Sequence, residues 1–145
     1  MVDNFNEKSD FIWSIADLLR GDYKQSEYQK VILPLTVLRR LDCVTERNQE
    51  AVLERYEQLQ KQGIENVAPS LKKAADAQVY NTSEYTFESL CNDPDDIAEN
   101  LQYYINQYDE ETKEIFEKFE FNHQIDRLAD ADLLYKIVRQ FAEID

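Results

Sequence analysis

Residues 11–47 read FIWSIADLLRGDYKQSEYQKVILPLTVLRRLDCVTER, and the fold is decided here. Phe11, Ile15, Leu18 and Leu19, with Ile12, recur at three- and four-residue spacing, the mark of a helix with one buried stripe. A first helix is predicted over residues 7–20, and Gly21 can take the left-handed conformation that ends it. Ser26 is suited to cap the second helix through its hydroxyl. Val31, Ile32, Leu33, Leu35, Val37, Leu38, Leu41, Cys43 and Val44 follow. At ~100° per residue they cover nearly the whole circle. A helix apolar all round must be covered all round. The expected fold is therefore all-α, an irregular helical bundle around a central, buried helix. Pro34 removes one backbone hydrogen bond and should kink that helix near Lys30. Arg39, Arg40 and Asp42 fall among these apolar positions, where charges are expected to be paired.

Beyond Val44 the pattern thins to Val52, Leu53, Tyr56 and Leu59 and stops at Gly63, which reads as an exposed extension of the same helix. Pro69 could open a short helix through Asp76, and residues 79–87 could be irregular or briefly extended. Asp93-Pro94-Asp95-Asp96 is a strong helix start: Asp93 caps, Pro94 takes the first position, and the carboxylates sit at the positive end of the helix dipole. This explains the acidic cluster better than a metal site, since no further oxygen ligands follow at loop spacing. Ile97, Leu101, Tyr104, Ile105 and Tyr108 make the next buried face. A helix over about 110–119 uses Ile115, Phe116 and Phe119, and residues 122–128 supply one or two turns. A last helix over about 130–142 buries Leu133, Leu134, Ile137, Val138 and Phe141. The sequence stops there as a cut at a domain boundary would, so residues 1–145 are expected to be one domain.

The net charge is −14, with 30 acidic and 16 basic residues. Phosphate binding needs cations, so this balance argues against a stand-alone nucleic-acid binder. The charge is uneven. Residues 1–48 carry 8 acidic and 7 basic side chains, whereas residues 49–145 carry 22 and 9. Any surface facing DNA is thus expected in the first third. The candidates for contact with DNA or a partner are Arg20, Lys24, Lys30, Arg39, Arg40 and Arg47. Arg20 and Lys24 flank the Gly21 turn, an exposed place from which to reach a phosphate; the plainer reading is solvated charge, or ion pairs with Asp17, Asp22 and Asp42.

No catalytic constellation is visible. His123 is the sole imidazole and lies in a polar run, where a surface or capping role fits better than catalysis. Cys43 and Cys91 lack metal-ligand spacing and suggest a reducing, cytoplasmic setting. No run reaches the roughly 20 apolar residues of a membrane span. Trp13 reads as an aromatic of the core or of a domain contact rather than a ligand residue.

Three segments in order, Trp13 to Gly21 (WSIADLLRG), Ser26 to Tyr28 and Val31 to Asp42 (VILPLTVLRRLD), resemble the start of the modification (methyltransferase) subunit of type I restriction-modification systems. NLQYYINQY at 100–108 and IFEKFEFNHQIDRL at 115–128 extend the resemblance over nearly the whole chain. It implies the helical domain that precedes the catalytic domain of a DNA adenine methyltransferase using S-adenosylmethionine. It also implies, as partners, the specificity subunit, a second modification subunit and the restriction subunit, with DNA reached through the complex. The family's Asn-Pro-Pro-Phe is absent. Pro34, Pro69 and Pro94 follow Leu33, Ala68 and Asp93, and Gly21 and Gly63 cannot build a glycine-rich cofactor loop. No catalytic, cofactor or metal residue is therefore assigned. The rival reading is a free-standing acidic helical protein that mimics DNA. A mimic needs rows of carboxylates over one face, whereas a domain of a larger subunit needs an exposed apolar patch.

Overall fold

The structure, a computed structural model, describes residues 2–144, with side chains from Glu7 to Ile144. Among them it is all-α, with nine helices and no strand: α1 (Val2–Leu19), α2 (Gln29–Glu46), α3 (Gln49–Lys61), α4 (Ala68–Ala75), α5 (Phe87–Leu90), α6 (Ile97–Asn106), α7 (Glu110–Lys118), α8 (Phe121–Asp130) and α9 (Leu134–Ala142). Two 3-10 turns, Gln25–Glu27 and Pro94–Asp96, lead into α2 and α6. The bundle expected from the sequence is the one observed.

The hub is α9, which packs against α1, α2, α5, α6 and α8. Its Leu134, Ile137, Val138 and Phe141 are all buried. They join Ile15 and Leu19 of α1, Val31, Leu35 and Leu38 of α2, Leu101 and Tyr104 of α6 and Ile125 and Leu128 of α8 in the main core. Each such aliphatic side chain stabilises the fold by about 1.5–3 kcal/mol through burial. The predicted face of α6 is buried from Ile97 to Tyr108.

Helix α2 departs from the fully buried helix expected at the centre of the bundle. Pro34 lies inside the helix and is buried, and α2 packs on α8 and α9. It is not sheathed, however. Leu33 is 48% and Val44 36% exposed, and Thr36 and Arg40 face solvent. Apolar side chains encircle the helix, but the other segments cover only the side that bears Val31, Leu35 and Leu38.

Other expectations shift with local chemistry. Ser26 does not cap α2; it sits in the 3-10 turn, where the Glu27 carboxylate accepts from the Lys24 N–H at 3.0 Å. The helix does not run on to Gly63. It breaks at Arg47 and Asn48, and the Asn48 amide donates to the Ala75 carbonyl at 2.8 Å. The break lets α3 fold onto α4, making a second small core of Val52, Leu59, Leu71, Ala75 and Tyr80. Asp93 makes no cap; Pro94 starts the 3-10 turn instead. The working caps are Thr86, which accepts from Ser89 N–H before α5, and Asp109, which accepts from Thr112 N–H before α7. Ile115 is 43% exposed rather than buried. Residues 79–86 are irregular and held by an isolated bridge between Asn81 and Tyr108, and Phe87 already belongs to α5.

Candidate interaction face of helices α1 and α2

The loop between α1 and α2 is fixed from α8. Gly21 has φ +96° and turns the chain after α1. Buried Tyr23 then donates its hydroxyl to buried Gln124 at 2.8 Å. Arg127 lies 3.8 Å from the Tyr23 ring centroid, pairs with Glu27 at 2.9 Å and donates to the Asp22 carbonyl at 2.8 Å. The Arg127 hydrogen bond, with help from the Lys24 N–H, lowers the Glu27 carboxyl from 4.5 to about 2. Burial raises the Tyr23 hydroxyl.

A second network fixes α2. Asp42, 1% exposed, accepts from the Tyr104 hydroxyl at 2.7 Å and from the Phe87 N–H at 3.2 Å, and pairs with Arg39 at 2.7 Å. The Tyr104 hydroxyl also meets that of Tyr108 at 2.7 Å. Burial pushes the Asp42 carboxyl above its ordinary value, while the Tyr104 hydrogen bond and the Arg39 charge pull it back. Desolvation by burial raises both tyrosine hydroxyls well above their ordinary value. Arg39 further donates to the carbonyls of Ile144 at 2.8 Å and Ala142 at 3.1 Å, so it neutralises the negative end of α9. The charge pairing expected around Asp42 is thus formed with Arg39, three residues away, but not with Arg40, and neutral donors 45 and 62 residues away complete the network.

These networks sort the six cationic candidates. The Arg39 guanidinium is taken up by Asp42 and the carbonyls at the end of α9. Arg20 pairs with Asp17 at 2.9 Å on an exposed surface. Lys24 and Lys30 are exposed, and no carboxylate among the described residues pairs with them, nor with Arg40 or Arg47. Arg40, expected near apolar cover, is exposed. The structure brings Arg39, Arg40 and Arg47 together along one open groove of about 680 Å3, joined by Lys8 of α1. Phe11, Ile12, Val44, Phe141 and Ile144 supply its apolar surface, and no carboxylate among the described residues lines it. Phe11 and Phe141 meet edge to face at 4.8 Å beneath it. Lys8 escaped the reading of the sequence because its partners in the groove come from α2 and α9; its place one turn before Ile12 was the available signal. Trp13, on the same helix, is 65% exposed, which excludes a core role. A separate groove between α3 and the loop before α5 has the opposite character, with Glu50, Glu54, Glu57 and Glu84 around Tyr85 and Tyr103.

No reactive arrangement accompanies these faces. His123 is exposed on α8. Cys43 and Cys91 are unpaired, and no three metal-ligating side chains converge among the described residues. The internal pocket beside Asp42 and Asn81 measures about 10 Å3, the size of a single water. No helix among the described residues is long and apolar enough to cross a membrane.

Residues 8–141 match the family model described as the HsdM N-terminal domain. The chain belongs to that family. It is the N-terminal domain of a type I restriction-modification methyltransferase subunit. No curated protein and no solved structure gave a match.

Proposed function

We propose that this domain positions a type I DNA adenine methyltransferase on its substrate without taking part in the chemistry. In this reading it docks through the α1 and α2 face onto the specificity subunit and the neighbouring modification subunit, in a complex that the restriction subunit also joins. DNA is held by the assembly, not by this domain alone. S-adenosylmethionine binds the catalytic segment of the subunit, outside these residues. The observation that carries the proposal is the uncovered face itself. Ile12 and Val44 stand exposed in the groove that α1, α2 and α9 line, and Trp13 and Leu33 are exposed on the same two helices of an otherwise acidic domain, the mark of a surface meant for a macromolecular neighbour. Two facts support the negative part. The family's reactive tetrapeptide is missing, and Gly21 and Gly63 lie at helix ends with positive φ rather than in a cofactor loop. Both favour a cofactor site in the catalytic segment rather than in these residues. The family match and the exposed apolar side chains both favour the modification subunit over a free-standing DNA mimic.

Calorimetric titration and sedimentation test this. The domain should give no binding heat with micromolar S-adenosylmethionine and only weak binding to duplex DNA, yet co-migrate with the specificity subunit. Micromolar cofactor binding, or sedimentation independent of the specificity subunit, refutes the proposal.

A further inference from the structure

We infer that the groove between α1 and α2 receives an acidic amphipathic helix of a partner protein; this inference rests on the positioning function proposed above. The groove is an outlier. The whole chain carries −14, yet this surface presents Lys8, Arg40 and Arg47 with no opposing carboxylate among the described residues that line it. Arg39 is satisfied by Asp42 and the end of α9, so the unmatched cations are those at the rim. Charge complementarity therefore selects an anionic occupant.

The surface between those cations is apolar, which decides the kind of anion. Ile12 and Val44 are 43% and 36% exposed. Phosphate contacts are made by cations, polar side chains and backbone N–H groups, and a duplex would leave Ile12 and Val44 without partners. A helix with apolar residues on one stripe and carboxylates along its flanks satisfies both sets. A helix rather than an extended peptide is indicated, because among the described residues there is no strand edge to extend. The lining of α2 runs from Thr36 to Arg47. At ~1.5 Å per residue that is roughly 16 Å, or about three turns of a bound helix.

Cys43 lies in the same lining and offers a direct probe. In a Cys91→Ser background, a thiol-directed photo-crosslinker on Cys43 is activated in the complex of modification and specificity subunits, with and without duplex DNA. Mass spectrometry of the adduct should identify an amphipathic helical peptide in which carboxylates outnumber cations. The triple variant Lys8→Glu, Arg40→Glu, Arg47→Glu should keep the helical circular dichroism of the parent and weaken assembly about tenfold at low salt, with a smaller loss at high salt. An adduct to DNA, a basic or wholly polar peptide, or no adduct with unchanged affinity of the triple variant, each overturns the inference. If the unmodified subunits fail to assemble at all, the positioning function falls as well; if they assemble and the groove stays empty, only this inference falls.

Discussion

Replacing Asp42 by Ala tests the network that fixes α2 to the rest of the bundle. The carboxylate is 1% exposed and serves Arg39, Tyr104 and the first N–H of α5. Its loss leaves the Arg39 guanidinium, whose side chain is 14% exposed, without its counter-charge. Breaking one side of a buried pair costs about 3–5 kcal/mol. An unsatisfied Phe87 N–H costs about 1–3 kcal/mol, part of which is already in that figure. About 4 kcal/mol is the resulting expectation, a large share of the roughly 5–15 kcal/mol that holds a domain folded. With a urea slope of about 2 kcal/mol/M, the unfolding midpoint should fall by about 2 M. Asp42→Asn keeps one acceptor oxygen and loses the charge, so about half that shift is expected. Arg39→Met with Asp42→Leu removes both charges and should lie closer to the parent than Asp42→Ala does. Urea melts followed by circular dichroism measure all three. A midpoint shift for Asp42→Ala below about 0.5 M, or no difference between the alanine and asparagine variants, would refute the reasoning.

Two further outcomes are expected. The Glu27 carboxyl is lowered to about 2 by Arg127, so its contribution is fully present above its ordinary value of 4.5 and is lost as the pH falls towards 2; Glu27→Gln should flatten the fall in stability across that acid window, and an unchanged slope in acid-unfolding curves would count against the ion pair. Trp13 is the single tryptophan and is 65% exposed, so Trp13→Ala should change stability by no more than about 0.5 kcal/mol, against about 2–5 kcal/mol for Leu38→Ala in the core, and the parent's fluorescence should be that of a water-exposed indole readily quenched by acrylamide.

Period and composition were enough for the helices that bury a clean stripe. The faces of α6 and α9 were readable residue by residue, because their apolar positions and their burial coincide. On α2 the two part company. Its sequence records that burial of Leu33 and Val44 would be favourable, but it cannot record that the rest of the chain has no segment left to cover them. Caps failed for a different reason. Ser26 and Asp93 have the right chemistry, yet Ser26 lies within one 3-10 turn and Asp93 just before another, and those turns precede α2 and α6. Thr86 and Asp109 succeed because a free N–H stands three residues on. The break at Asn48 was hidden because its side chain reaches a carbonyl 27 residues away. Among the cations, chain position placed Arg40 and Arg47 in the right region, but only the packing of α9 shows that Arg39 is committed elsewhere and that Lys8 joins them.

The charge asymmetry of the sequence has a spatial counterpart with a consequence for assembly. Residues 49–145 carry most of the negative charge, and the groove beside α3 collects Glu50, Glu54, Glu57 and Glu84. DNA repels such a surface at any distance within the screening length, about 10 Å at moderate salt. In the proposed complex, the acidic groove is therefore expected to face away from the duplex. Arg39 is held by Asp42, and Lys8, Arg40 and Arg47 border an apolar trough that suits a protein better than a duplex, whereas Arg20, Lys24 and Lys30 lie outside it. Under the proposed function, repulsion at the acidic groove and protein docking at the groove of α1 and α2 would together set the domain's orientation. A domain oriented in this way would fix where a neighbouring catalytic segment meets its substrate without touching the substrate itself.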